Sequence, residues 1–245
     1  MQTNFHKELY INMTHCDHTS HLGIPQTFGI FLDLATEHAE SLGIGTKLIR
    51  EKHIFWVTGR TRAHFYRKPS MTELVQAETF MGPGRGPRAA RYYRLFTEGE
   101  ILVEGKTDFV ATNLATGQLE RISDFYPAQD EITENLKNEI LPLSDPAPRI
   151  SPDFSEAPVI GSYTVRSTDI DLGGHMNNVA YLWAIAGLFS SKDLDNASWT
   201  DVDIAYRKPC YEGETLTARL RRLENVTELA LTKPEGEAAV LIRLS

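Results

Sequence analysis

Apolar residues recur three and four apart at Phe28, Phe31, Leu32, Ala35, Ala39 and Leu42, which predicts an amphipathic helix. Pro25 suits its first turn, and Gly43 and Gly45 suit its end. The same spacing returns at Val179, Leu182, Trp183, Ala186 and Phe189 and predicts a second helix over Val179–Ser190. Elsewhere the pattern is strand-like. The first half predicts strands near Leu9–Met13 and over Ile54–Phe65, Leu74–Phe80, Ala89–Phe96 and Ile101–Thr112. In the last of these, Ile101, Val103, Thr107 and Phe109 alternate with Glu104, Lys106 and Asp108. The second half predicts strands at Tyr163–Ser167, Val202–Arg207, Thr215–Leu223, Glu228–Leu231 and Ala238–Leu244. Gly/Pro-rich turns fall at Gly82–Pro87 and Glu98-Gly99. One helix followed by several antiparallel strands, twice over, is an α+β pattern.

The two halves share more than a pattern. Asp17-His-Thr-Ser-His21 leads into the first helix, and Asp171-Leu-Gly-Gly-His175-Met-Asn177-Asn178 leads into the second. Downstream of each, Tyr66-Arg-Lys-Pro69 recurs as Tyr206-Arg-Lys-Pro209. Two anchors in the same order indicate an internal duplication, with the longer helix or loop in the first half. Between them, Ala128–Pro158 is polar and acidic, then punctuated by Pro142, Pro146, Pro148, Pro152 and Pro158. A short helix over Ile132–Ile140 and an extended linker fit that composition. The expected organisation is a domain over residues 1–127, a linker over 128–157 and a second domain over 158–245.

Charge and composition narrow the function. A formal net charge of −8 argues against general nucleic-acid binding. No apolar run has the form of a signal peptide or a membrane span, so a cytoplasmic protein is expected. Two cysteines, Cys16 and Cys210, make no disulfide framework. The cluster His15-Cys16-Asp17-His18 with His21 has metal-ligand types, but the duplication accounts for it as a second copy of the motif loop. No metal and no cofactor are expected. Arg60, Arg62, Arg67, Lys68, Arg85, Arg88, Arg91 and Arg94 read as scattered solvated charge, or as a local patch that steers an acidic partner.

The loop from Asp171 to Asn178 carries the chemistry. It joins a carboxylate, an imidazole, two glycines and a helix N-terminus, the groups needed to activate water against a carbonyl. The competing reading is a hydrogen-bonded loop that caps a helix, and Asn177 or Asn178 suits that role directly. Cys210 could pair with His175 as a nucleophile, although a free cysteine is more often a small buried residue.

Several further stretches, in order, resemble the acyl-ACP thioesterases, plant and bacterial enzymes with a tandem (double) hotdog fold. They are Ala35-Thr-Glu-His-Ala39, Phe55-Trp-Val-Thr-Gly-Arg60, Asn113-Leu-Ala-Thr-Gly117, Asp171…His175-Met-Asn-Asn178 and Tyr206-Arg-Lys-Pro-Cys210. The resemblance implies hydrolysis of fatty acyl-acyl carrier protein, with the carrier's phosphopantetheine-linked acyl chain as partner. It also implies a possible homodimer and a site in the second half. Asp171 becomes the expected base, with nucleophile as the alternative role, and His175 bonds water or substrate and tunes it. Backbone N–H groups from Gly174 to Asn177 polarise the thioester carbonyl, and Gly173 and Gly174 allow close approach. Gly174 and Asn178 are expected at the substrate, and Phe31, Ala35 and Trp56 along the acyl chain. Two positions depart from the family. Gly173 stands where it usually has Asn, and Pro209 where it usually has Glu; Glu212 and Glu214 are nearby carboxylates. The alternatives are an acyl-CoA thioesterase of the same fold and a non-catalytic acyl-binding protein. A hotdog hydratase places its Asp five residues before the His, a spacing this chain lacks.

Overall fold

The computed structural model describes residues 3–137, 139, 141–143, 145–195, 197 and 199–245. The chain forms two compact units, one ending at Pro146 and the other beginning at Ala147. In the first unit, β1 (Asn4–Tyr10) is followed by α1 (Ile24–Ser41), α2 (Thr46–Lys52), β2 (Ile54–Phe65), β3 (Leu74–Arg85), β4 (Arg88–Thr97), β5 (Glu100–Asn113) and α3 (Gln129–Leu136). Its strands are antiparallel in the order β1-β3-β4-β5-β2.

The second unit has β6 (Val159–Thr164), α4 (Asn178–Ala186), α5 (Ser191–Asp195), β7 (Asp201–Tyr206), β8 (Thr215–Leu223), β9 (Val226–Thr232) and β10 (Ala238–Leu244). Its order is β6-β8-β9-β10-β7, the same permutation as the first. Even the register repeats: Tyr10 faces Leu74 in one unit and Thr164 faces Thr215 in the other.

That register corrects the sequence alignment of the halves. Tyr66 and Arg67 both donate their N–H to Leu102 O, and Arg207 and Lys208 both donate to Ala239 O. Tyr66 therefore corresponds to Arg207, and Pro69 to Cys210. The repeated Tyr-Arg-Lys-Pro letters are one residue out of structural step. In both units a glutamate closes the turn that follows. Glu73 accepts the Ser70 N–H at 2.9 Å, and Glu214 accepts the Tyr211 N–H at 3.1 Å. Glu73 is further gripped by the Arg67 guanidinium, at 3.0 and 2.7 Å.

Element ends differ from the expected ones for local reasons. The first strand ends at Tyr10 because Asn12 accepts the Thr14 N–H and starts a 3-10 turn over Met13–His15. A matching turn over Ser167–Asp169 ends β6 at Thr164. The second helix stops at Ala186, four residues early, with Gly187 as its cap. The helix expected over Ile132–Ile140 is α3, which begins at Gln129; Ile140 lies outside the described residues. Ile132 is buried with Met81, Ile122 and Tyr126, whereas Ile150 and Phe154 are buried with Ala230 and Leu241. Residues 128–157 are thus shared between the units.

Phe31, Ala35 and Trp56 all pack in the core of the first unit. Phe31 is 1% exposed and lies flat on Tyr93, with ring centroids 4.5 Å apart. Gly105 makes room for that ring, since a Cβ there would sit 2.2 Å from Phe31 Cε2. Trp56 donates its indole N–H to Ile44 O at 3.1 Å and meets Phe109, Phe125 and Tyr126 edge-on.

Truncating Phe31 to Ala removes a stacked core ring and is expected to cost about 3–5 kcal/mol in denaturant unfolding; a loss below about 1 kcal/mol would contradict this packing. A second expectation concerns acid. Arg67 holds the Glu73 carboxyl below the usual range, and burial opposes it only in part. Stability from this pair is present above the unfolded value of about 4.3 and is lost as pH falls through the lower folded value. Glu73→Gln should therefore flatten the acid limb of a stability–pH curve; an unchanged limb would contradict the assignment.

Candidate active site

The loop before α4 is held almost entirely by its own backbone. The Asp171 N–H donates to His175 O at 2.9 Å, and the Gly174 N–H donates to Asp171 O at 3.0 Å. Gly174 has φ of 73°, where a side chain would be strained. The Asn177 N–H reaches back to Asp169 O at 2.7 Å, and the Met176 N–H crosses to Cys210 O at 2.8 Å. Asn177 is the cap of α4, its side-chain oxygen accepting the Val179 N–H at 2.8 Å. Asn178 begins the helix, and its carbonyl accepts the Tyr206 hydroxyl at 3.0 Å.

These bonds correct one expectation. The N–H groups of Gly174, Met176 and Asn177 are committed within the chain and are not available to a carbonyl. Among the described residues, the N–H groups of Leu172 and His175 have no acceptor in the chain, so they are the donors this loop offers, and the His175 N–H is the one next to the imidazole.

The side chains converge at Gly173. Its N–H donates to Asp171 Oδ1 at 2.7 Å. A Cβ placed on Gly173 would stand 3.1 Å from Asp171 Oδ1 and 3.4 Å from His175 Nδ1. Carboxylate and imidazole thus border the same small gap. The His175 ring meets Tyr211 edge-on at 5.1 Å, and Lys233 lies over the Tyr211 ring, 5.5 Å from its centroid. Lys233 is fixed by Glu214 at 3.0 Å and by Pro209 O at 3.1 Å. Glu214 is therefore spent on its turn and on Lys233. Tyr211 was not legible as a site residue, because the one-residue slip in the repeat hid its place beside the motif loop.

The structure does not build a Cys–His nucleophile pair. Cys210 is fully buried, and burial pushes its thiol up; the Tyr181 hydroxyl and Lys233 pull the other way without offsetting it. Its sulfur lies 4.0 Å from Lys208 O. What Cys210 gives the site is its carbonyl, which anchors Met176.

The first unit holds the same loop. Asp17 N–H donates to His21 O at 2.8 Å, Ser20 N–H to Asp17 O at 3.1 Å, Leu22 N–H to Pro69 O at 2.8 Å and Gly23 N–H to His15 O at 3.1 Å. Ser20 takes the left-handed conformation of Gly174, with φ of 62°. The side chains differ. The Thr19 hydroxyl donates to Asp17 Oδ1 at 2.6 Å and lies 3.3 Å from His21 Nδ1, and Lys68 stands 3.8 Å from Asp17. Burial, the largest single influence, pushes the Asp17 carboxyl up, but Thr19 and Lys68 together hold it below the usual range.

Four of the arginines are committed within the first unit, whereas Arg85 and Arg88 are exposed and face each other across β3 and β4. Arg91 is buried and bonds His38 Nδ1 at 2.9 Å. Arg94 is paired with Glu139 and Glu104, Arg67 with Glu73, and Arg62 with the carbonyls of Leu143 and Asp145. Among the described residues, no group of three or more His, Cys, Asp or Glu side chains is placed to hold a metal ion. Nor is any helix among them long and apolar enough to cross a membrane.

Residues 2–129 match the acyl-ACP thioesterase N-terminal domain and residues 154–243 match the C-terminal domain of the same family. A solved acyl-ACP thioesterase from Bacteroides thetaiotaomicron superposes with a TM-score of 0.85 at 18% identity, over 99% of this chain and 97% of that one. The 12:0-ACP thioesterase from Umbellularia californica gives 0.83 at 19% identity, over 100% and 97%. The α+β tandem hotdog architecture is therefore established. The chloroplastic oleoyl-acyl carrier protein thioesterase of Coriandrum sativum is 26% identical over 83% of this chain and 58% of its own length. The chain spans about half the length of the curated relatives it matches. Those relatives are chloroplastic, which overturns the expectation of a cytoplasmic protein drawn from the lack of an apolar leader. Two domain matches that together run over most of the sequence place this chain in the acyl-ACP thioesterase family.

Proposed function

We propose that this protein hydrolyses the thioester of fatty acyl-acyl carrier protein, releasing a free fatty acid and the carrier's phosphopantetheine thiol. The observation that carries the reading is the gap at Gly173, bordered by Asp171 Oδ1 and His175 Nδ1. Asp171 takes a proton from water as the water attacks the thioester carbon. The His175 N–H faces the oxygen on which charge develops, and His175 orients the water. A thiolate leaves readily, so no strong general acid is needed. Asn177 and Asn178 set the helix that carries the loop. Cys210 acts through its carbonyl rather than its thiol. Phe31, Ala35 and Trp56 belong to the apolar interior against which an acyl chain would be measured.

A carrier-protein substrate is favoured over acyl-CoA because Arg62, Arg67, Arg91 and Arg94 are bonded within the chain, which leaves fewer cations for nucleotide phosphates. The net negative charge supports the absence of nucleic-acid binding. Homodimer formation is part of this reading by family resemblance alone, and sedimentation would test it.

Free-thiol release from acyl carrier protein substrates tests the assignment. Asp171→Ala should lose on the order of 100- to 10,000-fold in kcat while remaining folded. Cys210→Ala should keep most of the activity, because the carbonyl that anchors Met176 remains. Full activity in the first variant, or a folded but inactive second one, would contradict these roles.

A further inference from the structure

We infer that Gly173 works by leaving open the position that the Thr19 hydroxyl fills in the first unit, and that this position holds the attacking water between Asp171 and His175. The inference rests on the thioesterase reading above and adds where the nucleophile sits.

Two loops with the same backbone hydrogen bonds make the comparison direct. Thr19 and Gly173 occupy equivalent places: each donates its N–H to the first carboxylate oxygen of the motif Asp, at 2.9 and 2.7 Å. Glycine is not required at 173 by the backbone, since the left-handed residue of this loop is Gly174. What Gly173 contributes is space, because any side chain would enter the gap beside Asp171 Oδ1 and His175 Nδ1.

The first unit shows what that gap binds. A hydroxyl oxygen rests there, 2.6 Å from a carboxylate and 3.3 Å from an imidazole nitrogen. Water offers the same oxygen donor and acceptor, and a charge-assisted bond of this length is a strong one. Water in that position has its proton aimed at Asp171, within the reach a general base needs. Its oxygen forms the bond to the thioester carbon as that proton passes to Asp171. The carbonyl π pair moves to oxygen, opposite the His175 N–H. Return of that pair breaks the C–S bond, and the departing sulfur takes the proton from Asp171, which regenerates the carboxylate. In the first unit Thr19 already occupies the position, and Lys68 lies against the carboxylate. The same backbone there has no place for the water. The family resemblance implies an Asn at 173, so this chain has exchanged an amide for an opening.

The test compares wild type with Gly173→Thr, Gly173→Ser and Gly173→Ala of the full chain. Thiol release gives kcat and KM, and thermal unfolding is measured in parallel. Gly173→Thr and Gly173→Ser should lose on the order of 100-fold or more in kcat, with KM little changed. Their Tm should stand at or above wild type, because the hydroxyl recreates the Thr19 bond. Gly173→Ala, with a methyl and no hydroxyl, should lose less. Serine and threonine variants as active as wild type would overturn the inference, and so would equal losses in all three variants. No release by wild type itself would instead overturn the thioesterase reading on which it rests.

Discussion

The hydrogen bond from the Met176 N–H to Cys210 O, 2.8 Å long, joins the motif loop to the turn after β7. A loop this rich in glycine and amide side chains would otherwise sample many conformations. Here the Val165 N–H bonds Glu214 O and the Gly213 N–H bonds Val165 O, so the loop and the turn are laced at both ends. Buried backbone groups need partners, and five of the seven N–H groups from Asp171 to Asn177 find one inside the chain. The carboxylate, the imidazole and the uncommitted N–H at His175 are positioned by that lacing. Side-chain contacts add orientation: Tyr211 holds the His175 ring, and Lys233 and Glu214 hold Tyr211.

The duplication separates scaffold from chemistry within one sequence. Both units carry the 3-10 turn, the motif loop and the glutamate-closed turn in the same relation. Their helices diverge in length, from 18 residues in α1 to nine in α4. Fold and site are distinct properties, and here they part company in the side chains of two otherwise matching loops.

Much of this was legible in the sequence. Apolar spacing located α1 and α4, and alternating residues located most of the strands. The Asp-x-x-x-His pair was visible in both halves, and the order of motifs carried the family. Other features depended on partners distant in sequence. The Tyr-Arg-Lys-Pro repeat suggested the wrong equivalence, since letters do not report which carbonyl an N–H will reach. The same limit let Gly174, Met176 and Asn177 look like free donors. Arg91 read as surface charge because nothing nearby in sequence signals its burial against His38. The strand ends at Tyr10 and Thr164 moved because short 3-10 turns leave only a faint mark in composition.

Two loops of one backbone thus differ in their side chains, and the proposed function assigns the chemistry to the second. The decisive comparison is thiol release from an acyl carrier protein substrate, followed side by side for Asp17→Asn and Asp171→Asn. Asp171→Asn is expected to abolish release, and Asp17→Asn to leave a folded, active protein. Loss in the Asp17 variant alone, or equal loss in two folded variants, would contradict the division of roles between the loops.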